Sequence, residues 1–219
     1  MLRSFAAADV LTIGNASCGT LAIFLCLDYV ATASVRSLWG AFLLLPLALA
    51  CDLLDGYVAR TRSQRQSMLG GDLDSLADVI SFGVAPAVLG FTLGLRGGWD
   101  VLCLTYFVVC GVSRLARFNV TAVALADNTG KVKYFEGTPI PTSLVIVALL
   151  ATAFQRGRID AALWFGAWQI GPAVLHPLAL VYVASGSAMI SATLRIHRGR
   201  QPAAGILLPF IGMPWNAVR

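Results

Sequence analysis

"VLTIGNASCGTLAIFLCL", Val10 to Leu27, runs for 18 residues without a formal charge. Extended by a turn, such a run reaches the roughly 20 residues a helix needs to cross a bilayer. Working outward, Ser37–Cys51, Val79–Leu95, Val101–Ser113 and Gly137–Gln155 are also uncharged, and Ala161–Leu194 carries only His176. Apolar residues make up 58% of the chain and charged residues 12%. A soluble protein with a large core would need polar faces on its helices, and these runs do not supply them. The sequence therefore predicts an all-α polytopic membrane protein, with backbone polar groups satisfied inside helices. Six spans are expected, at roughly 9–31, 37–59, 72–95, 98–118, 138–156 and 172–192. They form a single domain over 1–219.

Ala6–Ala8 precede the first run rather than follow it, so that run reads as a span and not as a cleaved leader. With the N-terminus inside, 12 basic residues fall on the inner side: Arg3, Arg60, Arg62, Arg65, Arg114, Arg117, Lys131, Lys133, Arg195, Arg198, Arg200 and Arg219. Four fall outside: Arg36, Arg96, Arg156 and Arg158. This positive-inside bias and the even span count agree, and both termini are expected in the cytoplasm of a bacterial cell. The net charge of +5 is that of a face beside anionic lipid and calls for no nucleic acid. Five cysteines in or beside the spans, with no CxxC, read as packing residues. The tryptophans of "LWFGAWQI" (163–170) suggest an interfacial belt on the outer side. Residues 203–217, apolar but broken by two prolines, read as a segment lying on the inner surface. His176, beside a proline, reads as structural or interfacial.

One stretch breaks the pattern. "CDLLDGYVARTRSQRQSMLGGDLDSLAD", Cys51 to Asp78, carries five aspartates and three arginines at the edge of the bilayer. Asp52 and Asp55 are three apart near the end of the second span, and Asp74 and Asp78 are four apart near the start of the third. On helices each spacing puts both side chains on one face. A short basic turn joins the spans, so the two faces can meet. Four carboxylates converging there would repel strongly. They would share protons or hold cations, and oxygen-only ligands favour hard ions such as Mg²⁺, Mn²⁺ or Ca²⁺. Four aspartates suit a pair of divalent ions. Gly56, Ala59, Gly70 and Gly71 would let a ligand approach backbone, and Arg60 would meet a phosphate. Solvated loop charge explains Arg62, Arg65 and Asp72 but not the four span-end aspartates, because ionisable groups inside spans are costly and functional by default.

Asp52-x-x-Asp55-Gly56-x-x-Ala59-Arg60 followed by Gly70-x-x-x-Asp74-x-x-x-Asp78 resembles the signature of the CDP-alcohol phosphotransferase family. Nine residues separate Arg60 from Gly70 where the family pattern has about eight, and the extra residue falls in the turn, where it is easily absorbed. "DSLADVISFGVAPAVL", "SRLARFNV", "GKVKYFEGTPIPTS" and "GSAMISATLRI" resemble the phosphatidylserine synthase branch of that family. The likeness runs from about Leu11 to Ile196, so nearly the whole chain is covered.

The resemblance implies a reaction of CDP-diacylglycerol with L-serine to give phosphatidylserine and CMP at the cytoplasmic edge. It implies two divalent ions, Mg²⁺ or Mn²⁺, held by Asp52, Asp55 and Asp74, in the clamp role of a two-metal site. Asp78 is implied as the general base and a further metal ligand. Asp52, Gly56, Ala59, Arg60 and Gly70 match nucleotide-contacting positions, and a homodimer is implied. Arg114 and Arg117 read equally as basic anchors and as contacts for substrate phosphate or serine carboxylate. Asn119 and Lys133 are further candidates. Asn15 reads as a substrate contact or as a helix–helix hydrogen bond. Other acceptors (choline, inositol, glycerol phosphate) stay within the same chemistry. An ion-coupled transporter predicts acids near the midplane and internal repeats, and a structural adaptor leaves the aspartates without a role.

Overall fold

The computed structural model describes residues 7–61, 68–126, 134–191 and 195–197. It is built from helices: α1 (Ala7–Thr32), α2 (Val35–Thr61), α3 (Met68–Asp78), a π segment (Val79–Val84), α4 (Ala85–Thr92), α5 (Gly98–Ala126), α6 (Ser143–Gln155) and α7 (Leu180–Ile190). Among the described residues four stretches are long and apolar enough to cross a membrane: Asp9–Thr32, Val35–Val58, Gly70–Thr92 and Gly98–Val120. The third runs through α3, the π segment and α4 without a break. Two shorter apolar helices follow, Ile140–Gln155 and Pro177–Ile190, each opened by a 3-10 turn. The all-α polytopic architecture matches the sequence expectation.

The expected start of the last span at residue 172 is corrected by the structure. Residues 168–175 fold as a two-stranded hairpin, β2 (Trp168–Ile170) against β3 (Ala173–Leu175), and helix begins only at Pro177. The sequence explains this: Gly171 takes a φ of +61°, and Pro172 follows it. Trp168 and Ile170 stay exposed on the hairpin, and Trp99 Nε1 donates to the Ile170 carbonyl. Beneath it, Asp100 in the first turn of α5 is fully buried. It accepts from Gly97 N (2.8 Å) and His176 N (2.7 Å), and its Oδ2 lies 2.6 Å from His176 Nδ1. A carboxylate suits a helix N-terminus, where free N–H groups and the helix dipole stabilise negative charge. His176 is thus part of the tie between the hairpin and α5. At another edge, β1 (Tyr134–Glu136) pairs antiparallel with β4 (Arg195–His197).

α1 and α2 form an antiparallel pair, with Leu38, Ala41, Leu45 and Ala48 fully or almost fully buried. Tyr29, Trp39 and Phe42 meet Phe154 of α6 in an aromatic cluster. Phe82, Phe107 and Tyr182 join the π segment, α5 and α7, and the Tyr182 hydroxyl donates to the Pro86 carbonyl at 2.7 Å. Pro86 also bears on the π segment. It has no N–H to return to Phe82, and Ala85 N–H reaches back five residues to the Ile80 carbonyl.

Small residues let α1 approach this segment. A Cβ on Gly19 would lie 2.7 Å from Ser81 Cα, whereas one on Gly14 would meet only Cys51 Sγ at 3.7 Å. Gly19→Ala is therefore expected to destabilise the fold by about 1–3 kcal/mol, the usual cost of overpacking. Gly14→Ala is expected to be near neutral. Thermal unfolding of both variants in micelles checks this, and equal midpoints would remove the close approach as a determinant.

Candidate active site

Three helix ends bring the aspartates together. Asp52 and Asp55 lie on α2, Asp74 and Asp78 on α3, and α1 packs against both helices. Asp52, Asp55 and Asp78 are buried and Asp74 is half-buried. One carboxylate oxygen from each of Asp52, Asp74 and Asp78 lies within 4.8 Å of the other two, a spacing a metal ion can bridge. Asp55 faces the same region, close enough for its charge to act on all three. Its Oδ2 accepts from Thr12 Oγ1 at 2.7 Å. The π segment begins at the residue after Asp78, and single π turns inside helices recur at functional sites.

The hydrogen-bond accounting supports a cation here. Asp74 Oδ1 is buried and has no hydrogen-bond partner among the described residues, and neither has Asn15 Oδ1. Buried acceptors are normally satisfied, and two unsatisfied oxygens beside a carboxylate cluster suit a bound cation. The oxygen-only donor set fits a hard divalent ion. Arg114 Nε is likewise buried without a partner among the described residues, although the guanidinium is close enough to feel the charge of Asp78. A buried donor facing a carboxylate cluster is suited to an anionic ligand group. Arg117, three residues on, is exposed.

The remaining expected residues fall as follows. Asn15 is fully buried on α1 and donates from Nδ2 to Asp78 Oδ1 at 3.2 Å, so the helix–helix hydrogen bond is present and ends on the aspartate group. Asn119 exchanges hydrogen bonds with Ser75 of α3 (3.1 and 3.3 Å), bracing α5 against the helix that carries Asp74 and Asp78. Gly56 lies one residue beyond Asp55 on α2, and Gly70 lies in the first turn of α3. Ala59 and Arg60 belong to the last turns of α2 by backbone, but their side chains lie outside the described residues, as do Lys133 and residues 203–217. Thr12, Ser75 and Ser81 were not singled out by the sequence. The available signal for Thr12 was its spacing of three from Asn15 within an uncharged run, which puts both on one face. Beside the aspartates an open apolar groove of about 540 Å³ runs between α1 and α3, lined by Ile13, Ala16, Leu21, Leu73, Leu76 and Ile80 among others.

The chain is similar to known proteins over most of its length. A family model described as CDP-alcohol phosphatidyltransferase matches residues 5–191. The CDP-diacylglycerol–serine O-phosphatidyltransferase of Saccharomyces cerevisiae is 42% identical over 201 residues, covering 90% of this chain and 72% of the relative. The archaetidylserine synthase of Methanothermobacter thermautotrophicus is 40% identical over 156 residues, 70% of this chain and 61% of the relative. The CDP-diacylglycerol–serine O-phosphatidyltransferase of Bacillus subtilis is 31% identical over 148 residues, 67% of this chain and 75% of the relative. The chain thus spans three-fifths to three-quarters of the length of these relatives. No solved structure matches it significantly.

Proposed function

The chain belongs to the CDP-alcohol phosphatidyltransferase family, and from that premise we propose that it transfers the phosphatidyl group of CDP-diacylglycerol to L-serine, giving phosphatidylserine and CMP. The observation that carries the reading is the buried meeting of Asp52, Asp74 and Asp78, drawn from the two halves of one signature. Serine is the acceptor because the Saccharomyces cerevisiae and Bacillus subtilis relatives are named for transfer to serine.

The chemistry follows from the residues. The serine hydroxyl oxygen attacks the phosphorus that bears the diacylglycerol. Its proton passes to Asp78, the bond from that phosphorus to the CMP oxygen breaks, and CMP departs with the electron pair. Asp52, Asp55 and Asp74 would hold two divalent ions, Mg²⁺ or Mn²⁺, which when bound neutralise the diphosphate and the charge on the leaving group. Asp52, Gly56, Ala59, Arg60 and Gly70 form the nucleotide side of the site. Arg114, whose Nε is buried, presents its guanidinium to the serine carboxylate or the lipid phosphate, with Lys133 and Arg117 as outer cationic contacts. The groove between α1 and α3 takes an acyl chain, since it is open, mostly apolar and lined by Leu73 and Ala77, the neighbours of Asp74 and Asp78.

The working unit of this reading is a homodimer of one membrane domain per chain with six spans, the two shorter helices included. Its termini and site lie on the cytoplasmic side, as the basic residues favour. The relatives come from a yeast, an archaeon and a bacterium, so the reading specifies the side of the membrane and not the kind of cell.

The test is transfer by purified protein in micelles given CDP-diacylglycerol, labelled serine and Mn²⁺ or Mg²⁺. Metal-dependent appearance of both phosphatidylserine and CMP is expected. CMP release with another alcohol but not with serine would keep the reaction class and replace the acceptor. No CMP with any acceptor, from protein that elutes as a single folded species, would overturn the reading in favour of transport.

A further inference from the structure

α1 carries none of the signature aspartates, yet it hydrogen-bonds two of the four. Thr12 Oγ1 donates to Asp55 Oδ2 at 2.7 Å, and Asn15 Nδ2 donates to Asp78 Oδ1 at 3.2 Å. The two donors are three residues apart, hence on one face, and their exposures are 4% and 0%. Charge settles the orientation of the Asn15 amide: turned over, its oxygen would face a carboxylate oxygen. α1 is in turn held in register. Ser81 Oγ donates to the Asn15 carbonyl at 2.9 Å, and the bare backbone of Gly19 sits against Ser81. Ser81 is three residues beyond Asp78. The Asn15 donor and its Asp78 acceptor are therefore fixed relative to the same short segment, across a sequence separation of 63 residues.

We propose that Thr12 and Asn15 are positioning residues that set the rotation of the Asp55 and Asp78 carboxylates before any ion or substrate arrives. The inference rests on the metal-site reading given above. A carboxylate free to turn must lose that freedom when it binds an ion, whereas one already pinned by a donor does not. Partners that orient ligands in this way commonly account for 10- to 100-fold in metal affinity or activity. Pinning from α1 also explains why an apolar membrane span should bury a threonine and an asparagine at its end, where each would otherwise be costly.

The experiment is a titration of the full chain in micelles with Mn²⁺ alone, reading free Mn²⁺ by electron paramagnetic resonance. Thr12→Val and Asn15→Leu keep volume and remove the donor. Each is expected to weaken Mn²⁺ binding by about 10- to 100-fold. Thr12→Ser, which restores the hydroxyl, is expected to bind as wild type. Thr152→Val is the control, because among the described residues that hydroxyl bonds only to the Ala148 carbonyl one turn back, and it should change nothing. At saturating Mn²⁺ the remaining defect of Asn15→Leu is expected in kcat rather than in the KM for serine. Binding within about twofold of wild type for both Thr12→Val and Asn15→Leu would overturn the proposal while leaving the metal reading intact; about 10-fold is the least expected effect. If wild type shows no Mn²⁺ binding that Asp52→Asn abolishes, the metal reading falls and this proposal with it. Should Asn15→Leu not elute as a single species, the contrast between Thr12→Val and Thr12→Ser decides alone.

Discussion

Asp78→Asn is expected to lower serine transfer by about 10²- to 10⁴-fold, the range supplied by a positioned general base. The substitution is unusually clean at this site. Asparagine keeps the shape of aspartate, and its carbonyl oxygen can still accept from Asn15 Nδ2, so the tie between α1 and α3 survives. What disappears is the capacity to take the serine proton. Because that capacity matters only as the alkoxide develops, the loss should appear in kcat, with the KM for CDP-diacylglycerol little changed. A Mn²⁺ titration of the same variant separates two roles. Retained binding with lost turnover assigns Asp78 to proton transfer, and lost binding assigns it to holding the ion. Turnover within a few-fold of wild type would remove it from both, since even the low end of general-base catalysis is about 100-fold.

The parts of this protein that the sequence made legible are those set by run length and local spacing. The uncharged run at Val10–Leu27 lies inside α1, and the two aspartate pairs fall at the facing ends of α2 and α3 as their spacing requires. Hydropathy reads how long an apolar stretch is, so it found the four long spans. It placed the last span's start too early because the hairpin at 168–175 is apolar too, and only the Gly171–Pro172 pair marks it as a turn. Long-range partner choice was not legible at all. Thr12 to Asp55, Asn15 to Asp78 and Ser81 to Asn15 join residues 43 to 66 apart. A polar residue in a span announces that it needs a partner but not which one. Asp100 shows the same limit: as a sequence feature it is an acid near a span end, and only the fold reveals it as the buried anchor of His176. Arg114 and Arg117 are indistinguishable as an i, i+3 pair, yet one guanidinium is sheltered beside the carboxylates and the other is exposed.

Asp74→Asn is expected to be more stable than wild type without metal and less stable than wild type with Mn²⁺. Three carboxylate oxygens from Asp52, Asp74 and Asp78 lie within 4.8 Å of one another. With all three ionised, each pair at about that distance repels by roughly 3 kcal/mol at an effective dielectric of about 20. Asp55 adds to the repulsion from beside them. Such a cluster is strained without a cation, and Asp74 takes part in two of the three pairs. Asparagine at this position removes both repulsions and introduces an amide that can donate to a neighbouring carboxylate. The metal-free variant should therefore melt above metal-free wild type; each 1 kcal/mol gained is worth about 2–4 °C in a chain of this size. Mn²⁺ reverses the comparison. Wild type gains about 2.7 kcal/mol when the ion is present at 100 times its Kd, whereas the variant, short of one ligand, gains little and loses transfer. Melting both proteins in micelles at one scan rate, with chelator and with Mn²⁺, reads all four states. If the variant melts below wild type in chelator, the cluster stores no repulsion and Asp74 is held by contacts within the fold. If Mn²⁺ raises both proteins equally, Asp74 lies outside the metal site, and the unsatisfied oxygen it buries must serve the substrate directly.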